Sequence, residues 1–256
     1  MADKRGQQWV LLRGLARESA HWGDFLPQLQ AQFPAATITA LDLPGTGQFC
    51  AQPSPDNIAA ITEHVRAQAM ARGLLAQPVT LLAVSLGAMV AWEWLQRYPD
   101  DCCGAVLMNT SFASLSPFYQ RLRWQSYRQF AAALMQRDVY RRELGIVRLV
   151  GNRPGQYETV AQAWAAIQTA RPLQVSNAIR QLRAAASYRP ALTPPLAPVL
   201  LLNGLGDRLV SPACTEAIHQ HYGLTLRRHP WAGHDLTLDD GGWVRGQVCE
   251  WLAEPG

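Results

Sequence analysis

The chain has 256 residues, of which 48% are hydrophobic, and a formal net charge of +4. That is enough apolar material for one sizeable core, with or without an insertion, and the lack of low-complexity runs excludes a disordered or fibrous chain. No window reaches the ~18 consecutive apolar residues of a membrane span. The opening "MADKRGQQWVLLRG" lacks the apolar region and cleavage site of a leader, so a cytoplasmic location is expected. The five cysteines are an odd number without metal-type spacing, which points to reduced thiols.

In chain order, short apolar runs alternate with amphipathic stretches. "QWVLLRG" and "ATITALDLPG" read as the first two strands, "VTLLAVS" as the third and "GAVLMNTS" as the fourth. "APVLLLNG" and "LTLRRHP" complete the set. Helical patterns fall near 23–33, 57–73, 86–97, 212–222 and 242–253. Continuous apolar strands alternating with helices predict a mostly parallel sheet of about six strands, covered on both faces.

One region breaks the alternation. From 113 to 188 no strand appears, and four segments read as helices, the later ones separated by "GNRPG" and "ARP". The spacing predicts a core made of 1–112 and 189–256 with a four-helix cap over 113–188. Charge follows the same division. Between Phe112 and Pro190 there are twelve arginines against three acids, a net +9 that leaves −5 on the rest of the chain. With one lysine, Lys4, against twenty-two arginines, codon bias explains the choice of arginine. It does not explain the scarcity of acids. The cap aromatics Phe118, Tyr119, Tyr127, Phe130 and Trp164 read as cap core. Phe112 and Trp124, the latter otherwise cap core as well, are the choices for an acyl pocket, with His21 and Trp22 at its mouth, although packing is the commoner role of a tryptophan such as Trp22.

The chemistry gathers at strand ends. "LAVSLG" joins the third strand to a helix and departs from the G-x-S-x-G turn only at Ala83. Such a turn presents a nucleophile, here Ser85, in a strained backbone state, and needs small residues on either side. Serine also caps helices, so the hexapeptide alone is ambiguous. Asp207 follows the next-to-last strand in "NGLGDRLVSP" and His234 the last in "HPWAGHDL". Nucleophile, acid and base therefore occur in an order suited to acyl transfer, each at the carboxyl end of a strand. Asp235 adjoins His234 and is poorly placed to reach the rear nitrogen of its ring. Backbone donors for an oxyanion would be the amides of Leu86, after the nucleophile, and of Leu15, where Gly14 lets the first loop turn. No cofactor or metal is expected: His219 and His221, two apart on a helix, cannot face one ion.

Together, "LLRGL", "HWGDF", "LDLPGTG", "AVSLGAMVAWEW", "GDRLVSP" and "AGHDL" resemble the α/β-hydrolase superfamily in order and spacing. The short N-terminus and four-helix cap look most like its pimeloyl-[acyl-carrier protein] methyl ester carboxylesterase branch. The resemblance implies an α/β-hydrolase fold and a serine hydrolase of the carboxylesterase class acting on carboxylic esters or thioesters. It also implies acyl carrier protein as a partner met by the arginine-rich cap. Two positions depart from the pattern: Ala83 stands where glycine is usual, and Arg13 where His-Gly relatives carry histidine. Arg13 would either stiffen its loop or bind an anionic part of the substrate. Two other readings fit the same residues: a triad-dependent lyase like the menaquinone-pathway synthase, and a non-catalytic ligand- or carrier-binding protein. Nucleic acid is not an expected partner, because no recognition motif accompanies the charge.

Overall fold

A computed structural model describes residues 7–254. The opening "MADKRG" and the last two residues, which the sequence assigns to the core, lie outside the described residues. The sheet is built from β1 (Gln8–Leu12), β2 (Thr37–Leu41), β3 (Val79–Val84), β4 (Cys102–Met108), β5 (Val199–Gly204) and β6 (Thr225–His229). All neighbours run parallel, in the order β2-β1-β3-β4-β5-β6. Between β1 and β3 the direction of winding reverses, and in a parallel sheet the crevice at that point receives ligands.

The helices are α1 (Phe25–Gln32), α2 (Ile58–Ala71), α3 (Leu86–Arg97), α4 (Phe118–Arg121), α5 (Tyr127–Met135), α6 (Val139–Val150), α7 (Tyr157–Ala170), α8 (Val175–Ser187), α9 (Pro212–Tyr222) and α10 (Leu236–Ala253). Side chains alternate along the central strands, so each face has its own apolar layer. Val10, Leu12, Leu81, Ala83 and Leu107 pack with α2, α3 and α9. Trp9, Leu11, Leu82, Val84 and Met108 pack with α1 and α10 on the other face. The edge strands β2 and β6 are only partly buried, and β6 carries Arg227 and Arg228, each ion-paired to glutamate. Charge on an edge strand discourages pairing with another chain. All five cysteines are free. Among the described residues, no helix is long and apolar enough to cross a membrane.

Helices α4 to α8 all lie between β4 and β5. They include a third apolar cluster, in which Val147, Leu149, Val150, Ala161 and Trp164 of α6 and α7 are buried. Two details differ from the sequence expectation. The first of the four segments that read as helices, "SPFYQRLRWQSYRQFAAALMQ" over 116–136, is not one helix: α4 stops after one turn, Leu122 is extended, and α5 begins at Tyr127. The cause is a pair of arginines that turn inward. Arg121 donates to the Ala185 and Ala186 carbonyls and to Ser111 Oγ, and Arg123 to the Asp207 carbonyl at 2.7 Å. Helix α10 also begins six residues earlier than 242, with a non-helical residue, Asp240, inside it.

Candidate active site

Ser85 sits where β3 hands over to α3, with φ 55° and ψ −114°. A positive φ at a residue with a Cβ is strained and persists where the surroundings impose it. Here Ser85 donates its amide to the Met108 carbonyl at 2.9 Å, while its own carbonyl accepts from Thr110 Oγ1 at 3.0 Å. A Cβ at Gly87 would come within 2.5 Å of the Arg13 carbonyl oxygen and 2.6 Å of that of Leu12. The start of α3 therefore packs on the end of β1 at a distance only glycine allows. Ala83 is different. It pairs with Leu12 and Leu107 across the sheet, and its methyl is part of the core layer on the α3 face.

Asp207 and His234 come together from different strand ends. Their Oδ2 and Nδ1 atoms are 2.7 Å apart, and both side chains are buried. The other Asp207 oxygen accepts from the amides of Leu209 and Val210 at 2.8 and 2.9 Å, which fixes the carboxylate. Burial alone would lower the His234 pKa. The charge and hydrogen bond of Asp207, with a further contribution from Asp235, outweigh it, and the imidazole titrates above its ordinary value. Ser85 and His234 line one cavity of about 170 Å³, enclosed between the sheet and helices α4 to α8 and largely apolar. The profile of the alpha/beta hydrolase family matches residues 9–246, nearly the whole of the described chain.

The chain belongs to the alpha/beta hydrolase family. No curated protein matches its sequence significantly. Among solved structures it is similar to a hydrolase from Pseudomonas aeruginosa (22% identity, TM-score 0.77, 99% of this chain and 92% of that one). It is also similar to a thermophilic esterase from Thermogutta terrifontis (20%, 0.74, 97% and 90%) and an enol-lactonase from Burkholderia xenovorans (17%, 0.76, 99% and 94%). At such identities the likeness is one of fold.

Within this hydrolase-family site, the loop after β1 lies over Ser85. A Cβ at Gly14 would be 3.3 Å from Ser85 Cβ. The loop turns through an Arg17 amide to Gly14 carbonyl bond and a left-handed Ala16, whose own amide donates to Gln181 Oε1 of α8 at 2.9 Å. Leu15 and Leu86 both line the cavity, and Leu86, as the first residue of α3, has an amide with no intrahelical acceptor. Arg13 is not a free anion binder. Its guanidinium is buried in an ion pair with Asp235, lies 3.4 Å from Thr237 Oγ1, and stacks 4.8 Å over Trp22. Burial tends to raise the Asp235 pKa, and Arg13 overcomes this to hold it below the usual carboxylate value.

Neither residue chosen for the acyl pocket lines the cavity. Phe112 is fully buried among Trp92, Tyr188 and Tyr222, because the chain turns down into the sheet–helix layer after β4. Trp124 is 65% exposed, for the reason that broke the helix: Arg121 and Arg123 occupy the inward directions. Phe118, Tyr119 and Tyr127 are likewise exposed rather than cap core, although Phe118 also borders the cavity, while Phe130 and Trp164 line it. His21 and Trp22 are buried behind the wall and do not line it.

Asn109 was invisible to sequence reasoning. It is buried and left-handed at φ 48°, donates to the carbonyls of Gly233 and His234 at 3.0 and 2.8 Å, and accepts the Gly204 amide at 2.8 Å. One side chain thereby ties the ends of β4 and β5 to the histidine loop. The only signal was an asparagine, a residue that tolerates φ > 0, directly after a buried strand.

Proposed function

We propose that this protein is a serine hydrolase that cleaves carboxylic esters or thioesters through an acyl-enzyme. The observation that carries the reading is the 2.7 Å contact from buried Asp207 to His234, which lines the same cavity as a serine in the strained elbow conformation. His234 takes the Ser85 proton as the hydroxyl oxygen attacks the acyl carbonyl carbon. Asp207 holds the ring with its other nitrogen toward the serine and stabilises the imidazolium. The amides of Leu15 and Leu86 receive the oxyanion, a role in which losing one donor costs ~10²–10³ in rate. Protonated His234 then gives its proton to the leaving alkoxide or thiolate, and water repeats the cycle on the acyl-enzyme. None of these steps calls on a cofactor.

An acyl chain attached to acyl carrier protein is the proposed substrate, as in the pimeloyl-carrier methyl esterase branch that the sequence resembles. Of the twelve arginines between Phe112 and Pro190, nine are exposed, on the helices that roof the cavity and the loops that join them, and an acidic carrier complements them. The serine mechanism is tested with Ser85→Ala. Loss of both ester turnover and fluorophosphonate labelling is expected, and unchanged turnover in that variant overturns the assignment.

A further inference from the structure

We infer that the end of the cavity formed by Arg17, Arg142 and Gln168 binds a carboxylate carried by the acyl part of the substrate. The inference deepens the hydrolase reading and rests on it. These residues cluster, with Glu143 beside them in the lining, on the loop after β1 and on helices α6 and α7. Arg17 is buried over the face of Trp164 at 4.5 Å, and its Nη1 donates to Glu143 Oε2 at 2.6 Å. Arg142 Nε reaches the other oxygen of the same carboxylate at 3.3 Å. Two cations thus share one anion that is 1% exposed.

The neighbouring pairs differ. Arg13 balances Asp235, and Arg171 balances the buried Glu18. Arg121 lacks a carboxylate, but it caps the C-terminal carbonyls of α8, where the helix dipole is negative. His21, which touches Arg17 Nη1 at 3.0 Å, adds no charge: burial and the nearby arginines hold its pKa well below the imidazole value. The Arg17, Arg142 and Glu143 group therefore carries a net positive charge at the cavity, with Arg17 and Glu143 buried and Arg142 half-buried, and an anionic ligand group would pair that surplus.

Gln168 independently points the same way. It is 4% exposed and lines the cavity, and its Oε1 accepts from the Leu173 amide at 3.3 Å. That bond orients the amide. Among the described residues, Gln168 Nε2 has no protein partner, and both polar contacts of Arg17 use Nη1. The cluster offers spare donors on Gln168 and Arg17 and a net positive charge, which is the complement of a carboxylate.

Helix α6 sets the scale. The Val150 carbonyl accepts the amide of Asp235, next to His234, at 3.0 Å. Glu143 lies two helical turns earlier, roughly 10 Å up the axis. Ile146, Leu149 and Val150 line the wall between. The acyl group that fits is an apolar spacer with the scissile ester or thioester at one end and a carboxylate at the other.

The test compares kcat/KM for monoethyl adipate with that for ethyl hexanoate, which has a methyl in place of the carboxylate. Wild type is expected to favour the adipate by about tenfold or more, as a charge-assisted hydrogen bond allows. Arg17→Gln and Arg142→Gln each leave Glu143 one arginine, so a balanced pair remains in the fold, and both should lower the ratio. Glu143→Gln removes the competing anion and should raise it, a direction that structural damage does not mimic. A wild-type ratio at or below one, or one that moves the same way in all three variants, overturns the inference. Fluorophosphonate labelling of the same samples separates the two readings. Labelled protein with no carboxylate preference overturns the site alone, and unlabelled protein overturns the serine mechanism. In the latter case adipate should still raise the unfolding temperature of wild type more than that of Arg142→Gln, and equal shifts overturn the site as well.

Discussion

A single methyl group separates Ala83 from Gly87 in what the elbow tolerates. The methyl of Ala83 fills space between sheet and helix, whereas a methyl at Gly87 would meet two backbone carbonyls that cannot move without shifting β1. The departure from G-x-S-x-G therefore falls at the permissive position. At the same scale, His234 sets the pH dependence of the proposed reaction. The base must be neutral to accept the serine proton, so kcat/KM should rise with pH through a midpoint above the ordinary imidazole value of ~6.5. Asp207→Asn removes the charge that raises that pKa. The midpoint should move down, and the rate should fall on the order of 10⁴-fold, as pH–rate profiles of the two proteins would show. Stability runs the other way. A raised folded-state pKa favours the protonated fold, so this contribution is complete below the unfolded pKa and is lost as pH rises through the folded value.

At the scale of elements, the site is held by contacts between loops rather than within them. Arg13 on the β1 loop and Asp235 at the start of α10 join the loop over Ser85 to the loop bearing His234 through one buried ion pair. Arg13→Ala would leave Asp235 charged and unpaired. The expected loss is about 3–5 kcal/mol in urea unfolding, against a smaller loss for Arg13→Met combined with Asp235→Asn. The end of α6 is tied as firmly. Asn152 donates to the Gly206 and Trp231 carbonyls at 3.0 and 2.8 Å, and Asp239 accepts from the amides of Asn152 and Gly233 at 2.7 and 2.6 Å. The helix that carries Glu143 at one end is thereby fixed at the other to the loops bearing Asp207 and His234. The same economy accounts for the broken helix over 116–136: Arg121 and Arg123 satisfy carbonyls near the site, and Phe118, Tyr119, Trp124 and Tyr127 before and after them face solvent.

Over the whole molecule, positive charge gathers on the segment between β4 and β5 that roofs the site, and the rest of the chain is net negative. If an acidic carrier delivers the acyl group, kcat/KM on carrier-linked substrate should fall as salt is raised from 50 to 500 mM, because screening shortens the Debye length from roughly 14 to 4 Å. Rates on a small neutral ester should change little. Equal salt dependence of the two in a kinetic comparison would remove the carrier from the proposal. The order of strands, the parallel sheet and the strand ends bearing Ser85, Asp207 and His234 were legible in the sequence, because apolar periodicity and Gly-rich turns are local signals. The family follows from that same order. What surrounds the serine was not legible. Phe112 and Trp124 belong to the same residue class as Phe130 and Trp164, and only packing decides which of them meet the cavity. The partners of Arg13, Arg17 and Asn109 lie more than ninety residues away in sequence. Such pairings depend on how close the fold brings two backbones, which no short-range pattern records. Local residue chemistry thus determined the scaffold and the order of Ser85, Asp207 and His234 along it, while the tertiary structure alone decided the cavity's shape and its balance of charge.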